Sequence, residues 1–332
     1  MMCNGVPLIR FFRHPRILIP LVAACLLILI PVVGWCKKDA LVAVVITGDL
    51  PRYQLAHEAF IHKLEELTQD RGKVTVYVQR PNPDVMSWIN SIRKAVGIGA
   101  DVIVTYGAPA TLAGKSEGRN IPIVFAEVYD PVALGIIADI GRPGGNLTGM
   151  AGQTPLETLL HAYYLSKDVR KIGVLFSPED QASIYQKNKL VEIAEKKGIT
   201  VLPAEVNGPG DLWKELQTLS PHIDSLFVAE SAVLEMSAAK IMDFSQKNGI
   251  PVISQIHGFC DMGALMTLEA DPFEQGNGIA GYVSEILSGK KPGELPVRTP
   301  RKVALVINLN VARELGLKIP FQALTLATRV IR

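Results

Sequence analysis

The 332-residue chain is poor in cysteine. Only Cys3, Cys25, Cys36 and Cys260 occur, and three of them fall within the first 38 residues. The remainder holds a single thiol, which excludes an internal disulfide and a cysteine-ligated metal cluster there. Cys260 reads as a small buried hydrophobe. A basic surplus is also missing. The formal net charge is +2, but residues 1–38 carry five Lys/Arg and no acid, so the rest stands at −3. That balance, without a cluster of Lys and Arg, gives nucleic acid no footing. There is no Walker-type phosphate loop. The glycines of GRPGGNLTG (141–149) neither match the register of a dinucleotide-binding loop nor follow a strand.

Catalytic motifs fail on context. GKSEG (114–118) fits G-x-S-x-G, but it lies late in a helical run, whereas a nucleophile elbow joins a strand to the start of a helix. HEAFIH (57–62) spaces its histidines five apart. At 3.6 residues per turn that sets them about 140° apart, off any shared zinc-binding face, so they read as solvent-facing or capping. His161, His222 and His257 are isolated in sequence. No base and nucleophile pair at credible spacing, so no catalysis, cofactor or metal is expected.

One long hydrophobic run is present. Arg10, Arg13 and Arg16 precede ILIPLVAACLLILIPVVGW (17–35), which is uncharged. A basic start followed by an apolar run reads as a signal peptide or membrane anchor over 1–38, long enough to cross a bilayer. The basic end stays cytoplasmic, which puts the body in the periplasm or its extracytoplasmic equivalent, with membrane contact through 17–35 if the run is kept. Cleavage, retention and lipidation stay open. VAAC (22–25) has lipobox-like residues but more apolar sequence follows it. VGWC (33–36) is better placed but has bulky Trp35 where a small residue belongs.

From Leu41, short β-rich runs alternate with helical ones. Strands are expected at 41–47, 73–79, 101–106 and 121–128, with helices at 57–69, 83–99 and after Gly107. A second series follows: strands at 171–177, 199–206, 225–231 and 250–254, and helices at 182–198, 211–219 and 237–249. This alternation predicts α/β architecture with mainly parallel sheets, in two Rossmann-like lobes joined by a hinge. The glycine-rich stretch 141–152 is expected as the first crossing. GALMTLEADP (263–272) is expected to lead across again into a helix near 273–288, and the last part of 290–309 is a strand. One lobe then comprises 39–148 and about 272–297, the other 149–271 and about 298–332. Ligands of open α/β sheets lie beyond the carboxyl ends of the strands.

ADVIVTYGAPATLAGK, IPIVFAEVYDPVALGII, RPGGNLTGM, KIGVLFSP and VALVINLNVARELGLKIP stand in one collinear order. In that order the chain resembles ABC transporter substrate-binding proteins of the type that includes tryptophan-binding lipoproteins. The resemblance is strong from about residue 100 onward and weaker over 41–100. It implies a type I periplasmic-binding-protein fold, three crossings, and a small-molecule ligand held in the cleft without catalysis. Amino acids, notably aromatic ones, are among the ligands of such proteins. It further implies an ABC permease and ATPase as partners.

Carried over residue by residue, the resemblance implies three site segments on the first lobe: Thr47, Gly48 and Asp49; Gly107, Ala108 and Pro109; and Tyr129 with Asp130. Where Ala108 stands the family often has a hydroxyl residue, and a small residue commonly stands where Tyr129 does. Asp130 is expected to meet a ligand ammonium, and amide groups of the Gly107 loop a carboxylate. Second-lobe candidates, at or near strand ends, are Ser177, Glu179, Glu230, Ser231, Gln255 and Asp271. Two functions stay open: delivery of a solute to an ABC importer, or a membrane-anchored sensing module that signals to a partner such as a kinase.

Overall fold

A computed structural model describes residues 39–332, which belong to one compact unit. The segment expected as signal or anchor lies outside the described residues. Among the described residues, no helix is long and apolar enough to cross a membrane.

The first sheet has the order β2-β1-β3-β4-β5 and is parallel throughout. Its strands are β1 (Ala40–Ile46), β2 (Val74–Gln79), β3 (Val102–Tyr106), β4 (Ile123–Val128) and β5 (Leu147–Ala151). Between them run α1 (Pro51–Thr68), α2 (Val85–Gly97) and α3 (Ala108–Glu117). β1, β3 and β4 are Val/Ile-rich and buried nearly end to end, as expected of strands covered on both faces.

The second sheet has the order β12-β11-β10-β9-β8-β6-β7. It is built from β6 (Lys171–Phe176), β7 (Thr200–Glu205), β8 (Ser225–Val228), β9 (Val252–Ser254), β10 (Met266–Ala270), β11 (Val303–Asn308) and β12 (Arg329–Ile331). Only the β10–β11 pair is antiparallel. Its helices are α4 (Leu156–Ser166), α5 (Gln181–Glu195), α6 (Leu212–Leu219), α7 (Ala232–Met236), α8 (Ala238–Lys247), α10 (Leu309–Glu314) and α11 (Phe321–Leu326). The helix α9 (Pro272–Leu287) follows β10 of the second sheet yet packs on α1 and the first sheet.

Several boundaries differ from the sequence expectation. The expected lobe boundary at 148 falls inside β5: four residues of the glycine-rich stretch pair with β4 and keep the chain in the first sheet to Ala151. Half of 263–272 is likewise strand β10, and the chain crosses at Asp271. Helix α1 begins six residues before the expected start, because Pro51 opens it with a pre-set φ and no orphan N–H. His57 is not solvent-facing. It is buried against Phe60 and Tyr106, and burial lowers its pKa to about 4, while His62 on another face is exposed. Cys260 is buried, with its thiol pushed up to about 12 by desolvation.

Candidate functional site

The carboxyl ends of six strands, three from each sheet, face one another. From the first sheet come the residues after β1 (Thr47, Arg52, Tyr53), after β3 (Gly107) and at the end of β4 (Glu127, Tyr129). From the second come those after β6 (Ser177, Asp180), after β8 (Glu230, Ser231, with Glu235 on α7) and after β9 (Gln255). The lobes touch here: Ala232 packs into the first lobe's core, and Ala182 and Tyr185 against another part of it.

At the centre lies Arg52. Its guanidinium is bidentate on Glu235, with Nε to Oε2 at 3.0 Å and Nη2 to Oε1 at 2.9 Å. Nη1 donates to Glu127 at 3.1 Å, and Nη2 reaches Glu230 at 2.7 Å. Nη2 also meets the Tyr53 hydroxyl at 2.9 Å, and the guanidinium lies 4.4 Å from the Tyr53 ring centroid. Arg52 and Glu127 belong to the first lobe, Glu230 and Glu235 to the second, so this buried ion cluster ties the lobes together. Three carboxylates share one cation. Burial pushes Glu127 and Glu235 up to about 7, against the pull of Arg52. Asp180, which caps α5 through the Ala182 N–H, is also pushed up to about 7 by burial and by Glu230.

Glu127 reaches the cluster by a local distortion. The β4–β5 register shifts between Phe125 and Val128, and Glu127 has φ +56°. A bulge re-aims a side chain, and a left-handed non-glycine residue costs about 1–3 kcal/mol that the surrounding packing must offset. Glu127 Oε1 is buried and has no hydrogen-bond partner.

A second tie joins the lobes. The Tyr129 hydroxyl donates to Gln255 Oε1 at 2.8 Å, and Gln255 Nε2 donates to the Thr154 carbonyl and hydroxyl at 2.7 Å each. Tyr129→Phe strands Gln255 Oε1 without its donor, so a loss of about 1–3 kcal/mol is expected in urea unfolding. An unchanged midpoint would remove this tie.

The expected residues divide. Thr47, Gly107, Tyr129, Ser177, Glu230, Ser231 and Gln255 lie at the seam. Gly48 faces Ala232 across it, where an added Cβ would stand 3.3 Å away. Ala108 and Pro109 form the first turn of α3. Its Ala110 N–H is taken by the Thr47 hydroxyl at 3.2 Å, which itself donates to the Tyr106 carbonyl at 2.6 Å. Thr47 thus occupies the place the sequence suggested for a carboxylate. Asp130 sits at the rim, accepting from the Val132 and Ala133 N–H groups. Asp49 is exposed and holds Gln54. Asp271 caps α9 through the Phe273 N–H. Glu179 is exposed at the mouth of a small cavity of about 20 Å³, which Thr47, Trp88, Ser177, Asp180 and Ser231 also line.

Arg52, Glu127, Glu235, Asp180 and Thr154 were not expected from sequence. Glu127 had a signal: it is the lone charge in the apolar strand IVFAEV. Arg52 and Glu235 had none, since charged residues near helix ends are ordinary.

Gly107 has φ +84°, and an added Cβ would stand 2.8 Å from Thr47 Oγ1 and overlap the Tyr53 hydroxyl. Gly107→Ala is expected to lower the unfolding free energy by about 1–3 kcal/mol, read by thermal or urea unfolding. A neutral result would mean that Thr47 and Tyr53 yield freely.

Two α/β lobes whose strand ends meet over convergent polar groups define a hinged, two-lobed binding fold. The chain belongs to the ABC transporter substrate-binding protein family, whose model matches residues 41–331. A tyrosine-binding protein of Clostridioides difficile is 25% identical over 284 residues, covering 85% of this chain and 82% of that protein. Among solved structures, an ABC domain from Streptococcus pneumoniae in complex with L-Trp is similar. It has a TM-score of 0.84 at 23% identity, over 89% of this chain and all of that one. A conserved domain protein of Vibrio cholerae gives 0.83 at 26% identity, over 88% of this chain and all of that one. The family places the chain among extracytoplasmic solute-binding proteins.

Proposed function

We propose that this protein captures an amino-acid-type solute between its lobes and hands it to the permease of an ABC importer, without chemical change. The observation that carries this reading is the seam itself. Side chains from both sheets, rather than from one, complete a single polar cluster, so a ligand can bind both lobes only when they close. The tyrosine-binding relative and the tryptophan-bound neighbour support the ligand class. The halves that move are, in this reading, 39–151 with 272–298 and 156–271 with 303–332.

The test is thermal unfolding against a panel of amino acids, with X-ray scattering on any that respond. A ligand at about one hundred times its Kd stabilises the folded state by about 2.7 kcal/mol. A saturable rise in midpoint with compaction, and full recovery of the unchanged solute, is expected. A response confined to sugars or peptides would discard the amino-acid class. Turnover of the solute would discard the transport reading.

A further inference from the structure

The charges at the seam do not match. Glu127, Glu230 and Glu235 converge on Arg52 alone. Among the described residues, the only cation paired with any of the three is that one guanidinium, and it belongs to the first lobe. Asp180 and Glu179 line the adjacent cavity together with the Trp88 ring and the hydroxyls of Thr47, Ser177 and Ser231, and no Lys or Arg lines it. In the Arg52 cluster, and not in the lining of that cavity, Glu127, only 5% exposed, keeps a carboxylate oxygen without a donor. A buried carboxylate oxygen without a donor is costly, and a ligand N–H would satisfy it.

The cluster also has a shape. Two oxygens of Glu235 grip Nε and Nη2 in parallel, while Glu127 and Glu230 take the remaining edges. This is the fork geometry that carboxylates present to a guanidinium. Glu230 and Glu235 belong to the second lobe and, among the described residues, pair only with Arg52 of the first, so a hinge that opened would separate them from their cation.

We propose that the interlobe site takes a ligand with a side-chain cation: a basic amino acid or a related guanidino or diamino compound, held by the acid surplus of Glu127, Glu230, Glu235 and Asp180. This rests on the reading of the cleft as a solute site and narrows its ligand class. Trp88, whose indole N–H donates to the Thr47 carbonyl, adds an aromatic side chain to the lining beside these acids.

The experiment is calorimetric titration of the full-length chain with L-arginine, L-lysine and agmatine. Each is set against an uncharged or differently charged probe: L-citrulline, L-norleucine, L-tyrosine and L-glutamate. L-Arginine and L-citrulline share shape and differ in charge. Arginine or lysine is expected to bind at least about tenfold tighter than its neutral counterpart. Glu127→Gln is expected to erase about tenfold of that preference. Should the variant fold poorly, the arginine–citrulline comparison on the unaltered chain still decides. Binding of tyrosine or norleucine without arginine or lysine would overturn this inference and keep the amino-acid reading. Binding of agmatine with neither arginine nor lysine would keep the cation and discard the amino-acid reading. Heat from none of the probes would overturn both.

Discussion

Arg52→Met is expected to lower the unfolding free energy by about 3–5 kcal/mol at pH 8. The methionine retains an apolar stem, so the loss isolates the guanidinium. Without it Glu127, Glu230 and Glu235 stand together in a buried place with nothing of opposite sign. Removing one partner of a buried ion pair is far more costly than replacing the pair by apolar groups, because the charges left behind are desolvated. The carboxyls have a partial escape, since they can take up protons. The penalty should therefore shrink at pH 6, and Glu235→Gln added to Arg52→Met should recover part of it at pH 8. Urea unfolding of the single and double variants at both pH values measures this. A loss below about 1 kcal/mol at pH 8, or one that ignores pH, would show that the guanidinium is not what holds the cluster.

Stability of the unaltered protein is expected to fall as pH rises from 6 to 8. Glu127, Glu235 and Asp180 have pKa values of about 7 in the fold, above the ordinary carboxyl values of 4.5 and 3.8. Across this range the folded chain holds protons that the unfolded chain has lost, so the slope of stability with pH is negative. A raised carboxyl pKa contributes stability fully below its unfolded value, and the last of it goes as pH passes the folded value. Each group then removes on the order of 1 kcal/mol between pH 6 and 8. His257, lowered by burial but raised on balance by its 2.6 Å contact with Glu269, acts in the same sense. His57 acts oppositely, because its folded pKa of about 4 favours the neutral ring, but its effect fades above its ordinary value of 6.5. The thermal midpoint at pH 6 should exceed that at pH 8, and Glu235→Gln should flatten the slope. A midpoint that climbs with pH would contradict the placement of these carboxyls. Since a bound cation would favour the ionised forms, binding of a basic ligand should release protons near pH 7, read from buffer-dependent heats.

The alternation of β-branched runs with helical ones was enough to read the two parallel-sheet lobes, because each strand announces its burial by composition. Crossings were harder. Glycine between 141 and 152 looked like linker, yet Leu147, Thr148, Gly149 and Ala151 pair with β4 as an edge strand, since one side of the backbone ladder is enough to hold it. Strand ends were legible by position, and Thr47, Gly107, Tyr129, Glu230, Ser231 and Gln255 all reach the seam. The charge cluster was not. Arg52, Glu127 and Glu235 are 75 and 183 residues apart along the chain from the arginine outward, and no local pattern links them. Glu127 further depends on a bulge that only pairing with β5 reveals. Capping roles hid in the same way, since Asp271 and Asp180 both start helices and only the neighbouring Glu230 separates the second from a plain cap.

The position of α9 bears on how the chain is made. This helix lies against α1, with Gly276 set so close that an added Cβ would stand 2.8 Å from Ala59 Cβ. It contributes Ile279, Ala280, Tyr282 and Val283 to the first lobe's core. It is synthesised only after ten of the twelve strands among the described residues. Vectorial synthesis therefore leaves the first lobe with an uncovered apolar flank while the second is nearly finished. A truncated chain ending near residue 265 is expected to leave that flank open to proteases, and one that extends past 290 to cover it. The early half of the sequence thus waits on the late half.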